Sequence, residues 1–165
     1  MILDLSAIVN VDGKKLEFDG ELDFAGRKEQ GVEFISPVTV CGRLSNIGGS
    51  LELEAGIKTR LGFLCDRCLE MVEEDFECSC KEILKKEDER STDERNPEAI
   101  YFKGNNIELD EIILNNIIVE IPLKHLCSES CKGLCPNCGQ NLNKGECQCD
   151  TRPTDPRFDI LDKLL

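Results

Sequence analysis

Six cysteines lie within fewer than thirty residues near the end of the chain, and their spacing constrains the fold more than any other feature. They are Cys127, Cys131, Cys135, Cys138, Cys147 and Cys149. The run Cys135-Pro136-Asn137-Cys138-Gly139 is typical of a zinc knuckle, in which two thiolates bind one ion and a glycine allows the tight turn. Cys147 and Cys149 follow a turn-rich segment that can fold back and present a second pair. The pattern predicts a four-thiolate metal site within residues 122–150.

A disulfide framework of a secreted protein is the alternative explanation for these cysteines. The first six residues lack the basic and long apolar regions of an export signal, and no apolar run approaches the roughly 20 residues of a membrane helix. We therefore expect a cytoplasmic protein without a membrane partner. In that reducing compartment, metal ligation explains eleven cysteines, an odd number, better than disulfides do.

Eight of the eleven cysteines form four close pairs, which is enough for two tetrahedral sites. The pairs are Cys65 with Cys68, Cys127 with Cys131, Cys135 with Cys138, and Cys147 with Cys149. Pairs that are adjacent in sequence most easily form a distal site from the last two, and this leaves the first two to meet in a proximal site. Other partitions stay open, including one site from Cys127, Cys131, Cys135 and Cys138. The thiolates favour structural zinc, one or two ions, over an iron–sulfur cluster.

Alternating apolar residues predict an antiparallel β-rich domain over residues 1–121. Residues 16–24 and 32–40 alternate, although Asp19-Gly20 could instead form a hairpin turn, and residues 45–50 predict a turn. The longest alternating run, residues 51–65, leads into Cys65-Asp66-Arg67-Cys68, and residues 72–80 return. This indicates a long hairpin with the cysteine pair at its tip. Cys41, Cys78 and Cys80 are expected to be small buried or half-buried strand residues.

The remaining segments predict an α+β fold. Residues 81–96 are dense in charge and predict a mobile loop or a frayed helix, with a docking arm for a partner as the alternative. Asp110 is a plausible N-cap of a largely buried helix near residues 110–121, which ends before Pro122. Residues 122–165 form the zinc module, with a short terminal helix that carries Phe158, Leu161 and Leu165 on one face. The two parts could also form one integrated domain.

The charge of the chain bears on its partners. The formal net charge is −13, and residues 1–80 hold eight basic against sixteen acidic side chains, a balance of −8. Residues 122–145 instead hold Lys124, Lys132 and Lys144 against Glu129. Phosphate backbones repel an acidic body, because nucleic-acid affinity comes largely from lysine and arginine. Contact with nucleic acid is therefore expected to be local or to be made through a basic partner protein.

Several motifs together resemble the YceD-like family, the large ribosomal RNA subunit accumulation proteins. They are the Cys65-Asp66-Arg67-Cys68 tip, the Ile121-Pro122 helix exit, the run from Cys131 to Asn143, and Asp155-Pro156-Arg157-Phe158. The resemblance covers about the last two thirds of the chain. It implies a role in large-subunit ribosomal RNA accumulation without a known enzymatic activity, and an association with the large ribosomal subunit or one of its proteins.

Three functions follow for testing. The first is a non-enzymatic ribosome-assembly factor with structural zinc, whose partner is a basic ribosomal protein, with possible local contact to ribosomal RNA and no small-molecule substrate. The second is a thiol redox protein that uses Cys65 and Cys68, although no helix N-terminus is predicted beside them. The third is a direct nucleic-acid-binding zinc ribbon. Its candidate contacts are Lys124, His125, Lys132, Lys144, Arg152 and Arg157. No catalytic constellation is legible, since His125 is the only histidine.

Overall fold

The computed structural model describes residues 1–29, 31–87 and 97–149, which divide into two compact units. The first comprises Met1–Phe63 and Glu73–Leu123, and the second joins Leu64–Val72 to the chain from Lys124 onward. This division differs from two consecutive domains, 1–121 and 122–165, because the segment that carries Cys65 and Cys68 belongs with the cysteine-rich part. The predicted terminal helix with Phe158, Leu161 and Leu165 lies outside the described residues.

The first unit is strand-rich, with one helix among the described residues. Its elements are β1 (Ile2–Asp4), β2 (Lys15–Leu22), β3 (Lys28–Glu29), β4 (Val32–Phe34), β5 (Val38–Ile47), β6 (Ser50–Leu64), β7 (Met71–Lys86), β8 (Ala99–Phe102), β9 (Asn106–Glu108) and α1 (Asp110–Glu120). The ends of β6 and β7 extend into the second unit. In the described ranges, no helix has the length and apolar character that crossing a membrane requires.

The long strand β6 organises the main sheet. The sheet order is β2-β5-β6-β4-β3, while β7 pairs with β6 and with β8. One edge of β6 pairs antiparallel first with β5 and then with β4. Leu51, Leu53 and Ile57 are buried because alternate residues of a strand face the same side. β1 and β9, which the sequence pattern did not predict, form a separate two-stranded antiparallel sheet.

Three ion pairs connect β6 and β7. They join Glu54 to Lys81, Lys58 to Glu77, and Arg60 to Asp75. Residue numbers rise along β6 as those of their partners fall along β7, which is the order that an antiparallel pair produces. The long hairpin stays a prediction, and this order of ion pairs favours it.

The turns differ from two sequence predictions. Asp19 and Gly20 are not a turn, because they pair with Cys41 and Val40 inside the β2–β5 ladder. The turn predicted for residues 45–50 is reduced to Gly48 and Gly49, since the residues on either side pair with each other. Both glycines have positive φ, 60° and 84°, which the tight two-residue hairpin requires.

The charged segment after Cys80 was predicted wrongly in its first part. Residues 81–86 continue β7 rather than forming a loop, and Ile83 to Lys86 pair in parallel with β8. Leu84 is fully buried, so this stretch does present one apolar side to the core. Residues 88–96 lie outside the described residues.

The helix lies where the sequence predicted it, with two differences. Asp110 is the first helical residue rather than the N-cap, and its carboxylate contacts the amino group of Met1. Ile113 and Ile117 are fully buried, but Val119 is 81% exposed. The helix therefore buries one side rather than most of its surface.

The three cysteines outside the four close pairs differ in burial. Cys80 is buried and Cys78 half-buried, as predicted, whereas Cys41 is exposed. Cys41 alternates with the buried Val40 along β5, so its side chain lies on the solvent face of the sheet.

Two glycines on neighbouring strands give a matched test of the sheet. A Cβ atom at Gly42 would lie 2.5 Å from the Glu54 carbonyl oxygen, whereas one at Gly56 would lie 3.8 Å from Cys41 Sγ, an ordinary contact. We expect Gly42→Ala to lower the free energy of unfolding by about 1–3 kcal/mol, because backbone must shift. Gly56→Ala should change it by less than about 0.5 kcal/mol. Urea unfolding followed by circular dichroism measures both, and equal stabilities would contradict this packing.

Candidate metal centres

The second unit gathers eight cysteines into two groups of four. The proximal group is Cys65, Cys68, Cys127 and Cys131, and the distal group is Cys135, Cys138, Cys147 and Cys149. Within each group, all four Sγ atoms lie within 4.8 Å of one another. Among the described residues these are the groups that could hold a metal ion, so Cys127 and Cys131 join the Cys65 turn rather than the Cys135 turn. Their role as metal ligands stays a prediction.

The proximal group is compact and mostly buried. The Sγ atoms of Cys65 and Cys131 are 3.8 Å apart, and those of Cys68 and Cys127 are 3.6 Å apart. Cys65, Cys68 and Cys131 form a small core against which Val72, Leu126 and Leu134 pack. These distances fit a tetrahedral thiolate site, whose sulfur–metal bonds of about 2.3 Å place the sulfurs roughly 3.8 Å apart.

The two Cys-x-x-Cys turns have the same backbone hydrogen bonds. The amide of Leu69 donates to the Cys65 carbonyl, and the amide of Gly139 donates to the Cys135 carbonyl, both at 2.9 Å. The amides of Cys65 and Cys135 donate to the carbonyls of Glu70 and Gln140, at 2.9 and 2.8 Å. Both turns therefore share one backbone geometry and are called the first and second knuckle below, although the spacing of the first was the weaker signal in the sequence.

The residue after the second cysteine has positive φ in both knuckles. Gly139 has a φ of 73°, which glycine adopts without strain, but Leu69 has a φ of 59°. This conformation costs an L-residue roughly 1 kcal/mol of conformational free energy, so contacts with the surrounding structure must hold Leu69 in place. Because leucine occupies this position in the first knuckle, a sequence search for glycine after the second cysteine would not find it.

Hydrogen bonds tie the first knuckle to the chain after residue 124. Asp66 and His125 bond in both directions, from the Asp66 amide to the His125 carbonyl and from the His125 amide to the Asp66 carboxylate. Arg67 Nη1 donates to the Cys131 carbonyl at 2.8 Å, and the Arg67 carbonyl accepts from the Leu134 amide at 3.0 Å. These bonds bring Cys65 and Cys68 to Cys127 and Cys131, across about sixty residues of sequence.

Asn143 is a supporting residue that the sequence analysis did not identify as one. Its Nδ2 donates to Cys131 Sγ at 3.1 Å, and its Oδ1 accepts from the Lys132 amide at 2.7 Å. Asn143 belongs to the segment between the two cysteine pairs of the distal group, so the loop of one group supports a sulfur of the other. Hydrogen bonds to a thiolate are typical of the shell around metal ligands.

Backbone amides lower the pKa of one thiol in each group. The amide of Cys127 is the main cause at Cys65, and the amides of Cys138 and Asn137 are the main cause at Cys135; each pKa falls to about 6. Hydrogen bonding with Cys131 raises the pKa of Cys127 to about 12, and bonding with Cys138 does the same for Cys149. The Asn143 side chain also lowers the pKa of Cys131, so each group combines thiols of lowered and raised pKa, and a divalent cation would displace the protons of the latter.

One of the predicted basic contacts in the second unit has an acidic partner. Lys144 pairs with Glu70, while Lys124 and Lys132 are exposed. His125 is half-buried and is not a member of either cysteine group. Arg152 and Arg157 lie outside the described residues.

Comparison with known proteins finds one family whose sequences match this chain. The chain is similar to the protein named large ribosomal RNA subunit accumulation protein YCED homolog 1, chloroplastic, from Arabidopsis thaliana, with 34% identity over 58 residues. The similar segment covers 35% of this chain and 18% of that relative. No solved structure matches the chain. The family model of the large ribosomal RNA subunit accumulation protein YceD matches residues 53–165, which include both cysteine groups, and the chain therefore belongs to the YceD family.

Proposed function

We propose that this protein is a non-enzymatic factor for large-subunit ribosomal RNA accumulation, and that two structural zinc ions fold its second unit. The family supports the role in ribosomal RNA accumulation. The observation that carries the zinc part is the clustering of eight thiols into two groups of tetrahedral dimensions. A single ion rather than an iron–sulfur cluster is proposed because four Sγ atoms within 4.8 Å of one another surround space for one ion, and zinc is the usual ion of closed four-thiolate structural sites.

The second unit has little else that could hold it together. Its described residues, 64–72 and 124–149, contain one isolated β-bridge, between Leu134 and Asn141, besides the ends of β6 and β7. Its buried core consists of cysteines with three half-buried apolar neighbours. Apolar burial on this scale does not offset the conformational entropy of folding, so metal–thiolate bonds are proposed to supply the missing stability.

A structural role for Cys65 and Cys68 is favoured over a redox role. Cys65 is fully buried, and each of the two sulfurs has a further thiol within 4 Å. A catalytic thiol needs access for its partner, whereas a closed zinc site excludes it. We therefore propose no enzymatic activity, and a reducing compartment, the cytoplasm, as the location.

The proposed partner is a basic protein of the large ribosomal subunit. The first unit holds thirteen basic against 25 acidic side chains, a balance of −12. The described part of the second unit is balanced at four of each, and each loaded site would add a charge of about −2 from four thiolates and one divalent ion. This charge attracts a basic protein and opposes free RNA, which disfavours the zinc-ribbon alternative.

Metal analysis of cysteine variants tests the zinc proposal. The purified protein should contain about two zinc ions per chain, and Cys65→Ser/Cys68→Ser should contain about one, because the proximal group loses two ligands. Cys41→Ser, which removes an exposed cysteine outside both groups, should retain two. Unchanged zinc in the double variant, or iron as the main metal, would contradict the proposal.

Affinity capture from a lysate of the source cells tests the partner. We expect large-subunit proteins to stay bound after ribonuclease treatment, because the acidic first unit binds basic protein directly. The purified protein should bind large-subunit RNA weakly at physiological salt. Loss of every partner after RNA digestion, together with tight RNA binding by the pure protein, would replace this proposal with direct RNA recognition.

A further inference from the structure

Strand β2 forms an open edge of the main sheet. It pairs with β5 on one side, and among the described residues no strand pairs with its other side. Within the same residues, no backbone hydrogen bond from Lys15–Leu22 goes anywhere except to β5. Because alternate residues of a strand direct N–H and C=O groups to opposite sides, half of the groups of β2 face outward along this edge.

The solvent face of this edge strand carries a row of acidic side chains. Glu17, Asp19 and Glu21 occupy alternate positions and are all exposed. None of them has an ion pair in the part of the chain that the structure describes. The one cation opposite the row, Arg43, lies across from Glu17 but donates to Glu54, at 2.6 and 2.9 Å.

Several acidic side chains elsewhere on the same face of the sheet do form ion pairs. Glu54 pairs with Arg43 and Lys81, Asp75 with Arg60, and Glu77 with Lys58. Glu54, Asp75 and Glu77 thus have ion-pair partners, whereas among the described residues the three acidic side chains of β2 have none, although Lys15 lies on the same face of β2. The acidic side chains without an ion pair therefore lie on the strand beside which a further strand could pair.

A groove adjoins the row. It has a volume of about 750 Å³, and Glu17, Asp19 and Gly56 line it together with the ion-paired Arg43, Glu54 and Lys81. At Gly56 a Cβ atom would make only an ordinary contact of 3.8 Å with Cys41 Sγ, so the missing side chain there leaves room for the aliphatic stem of a long side chain. A lysine or arginine lying there would bring its charge to the carboxylates.

We propose that the β2 edge binds an extended basic segment of a protein, which adds to the sheet as a further strand with lysine or arginine facing Glu17, Asp19 and Glu21. Main-chain hydrogen bonds supply the pairing, and the acidic row selects the sequence. A second copy of β2 would place like charges opposite one another, and RNA would bring phosphates to carboxylates, so neither fits. This inference rests on the proposed basic partner and gives it a docking surface.

Synthetic peptides and the purified full-length protein test the edge without ribosomes, so failure here is distinguishable from failure of the proposed function. The probe is a fluorescent eight-residue peptide of alternating lysine and threonine, and the control peptide has glutamate in place of lysine. Fluorescence anisotropy should show binding of the lysine peptide alone. Methylating the backbone nitrogens of alternate residues, in one of the two possible sets, should weaken binding at least tenfold, because those donors pair with β2.

Matched charge variants locate the site. Glu17→Gln/Asp19→Asn/Glu21→Gln should weaken binding of the lysine peptide at least tenfold. Glu73→Gln/Glu74→Gln/Glu111→Gln removes the same number of exposed charges elsewhere on the first unit and should change binding less than twofold. Equal losses in both triple variants, or indifference to N-methylation of either set, would overturn the proposal. So would a β2 variant that dimerises while the unaltered protein does not bind the peptide, because the row would then only prevent self-pairing.

Discussion

Repulsion between thiolates is the constraint on which the second unit depends. Four sulfurs within 4.8 Å of one another cannot all be ionised unless a cation lies among them. The chain nevertheless directs backbone amides and the Asn143 side chain toward these sulfurs, which favours the ionised form. The close approach of the sulfurs and the hydrogen bonds that favour their ionised form are compatible if a metal ion occupies each group. This metal then replaces the apolar core that a short, polar segment lacks.

The first unit separates apolar burial from surface charge. The first unit obtains its stability from alternating apolar residues along β2, β5 and β6, which leaves the outer face of the sheet available for charge. Its balance of −12 accounts for nearly all of the net charge of the chain. Within the proposed function, this acidic unit fits action on basic proteins that bind the RNA better than action on the phosphates.

Sequence patterns predicted the parts of the molecule that repeat a simple rule. Alternation identified β6, and pair spacing anticipated the two cysteine groups that the structure brings together. Sequence patterns failed where pairing with a distant segment determines the local structure. Residues 81–86 are charged, yet they form a strand because β8 pairs with them. Likewise Leu69 occupies a position where glycine is expected, and Asn143 gains its role only when the chain folds back on Cys131. Such contacts leave no local signal.

X-ray absorption spectroscopy at the zinc edge of the purified protein tests the central claim most directly. It measures the ligand atoms around each ion without altering the chain. The account predicts about two zinc ions per chain, each with four sulfur neighbours at about 2.3 Å and with no nitrogen or oxygen ligand. A shell containing nitrogen or oxygen would contradict the two closed thiolate sites, and so would a protein that is fully folded without zinc.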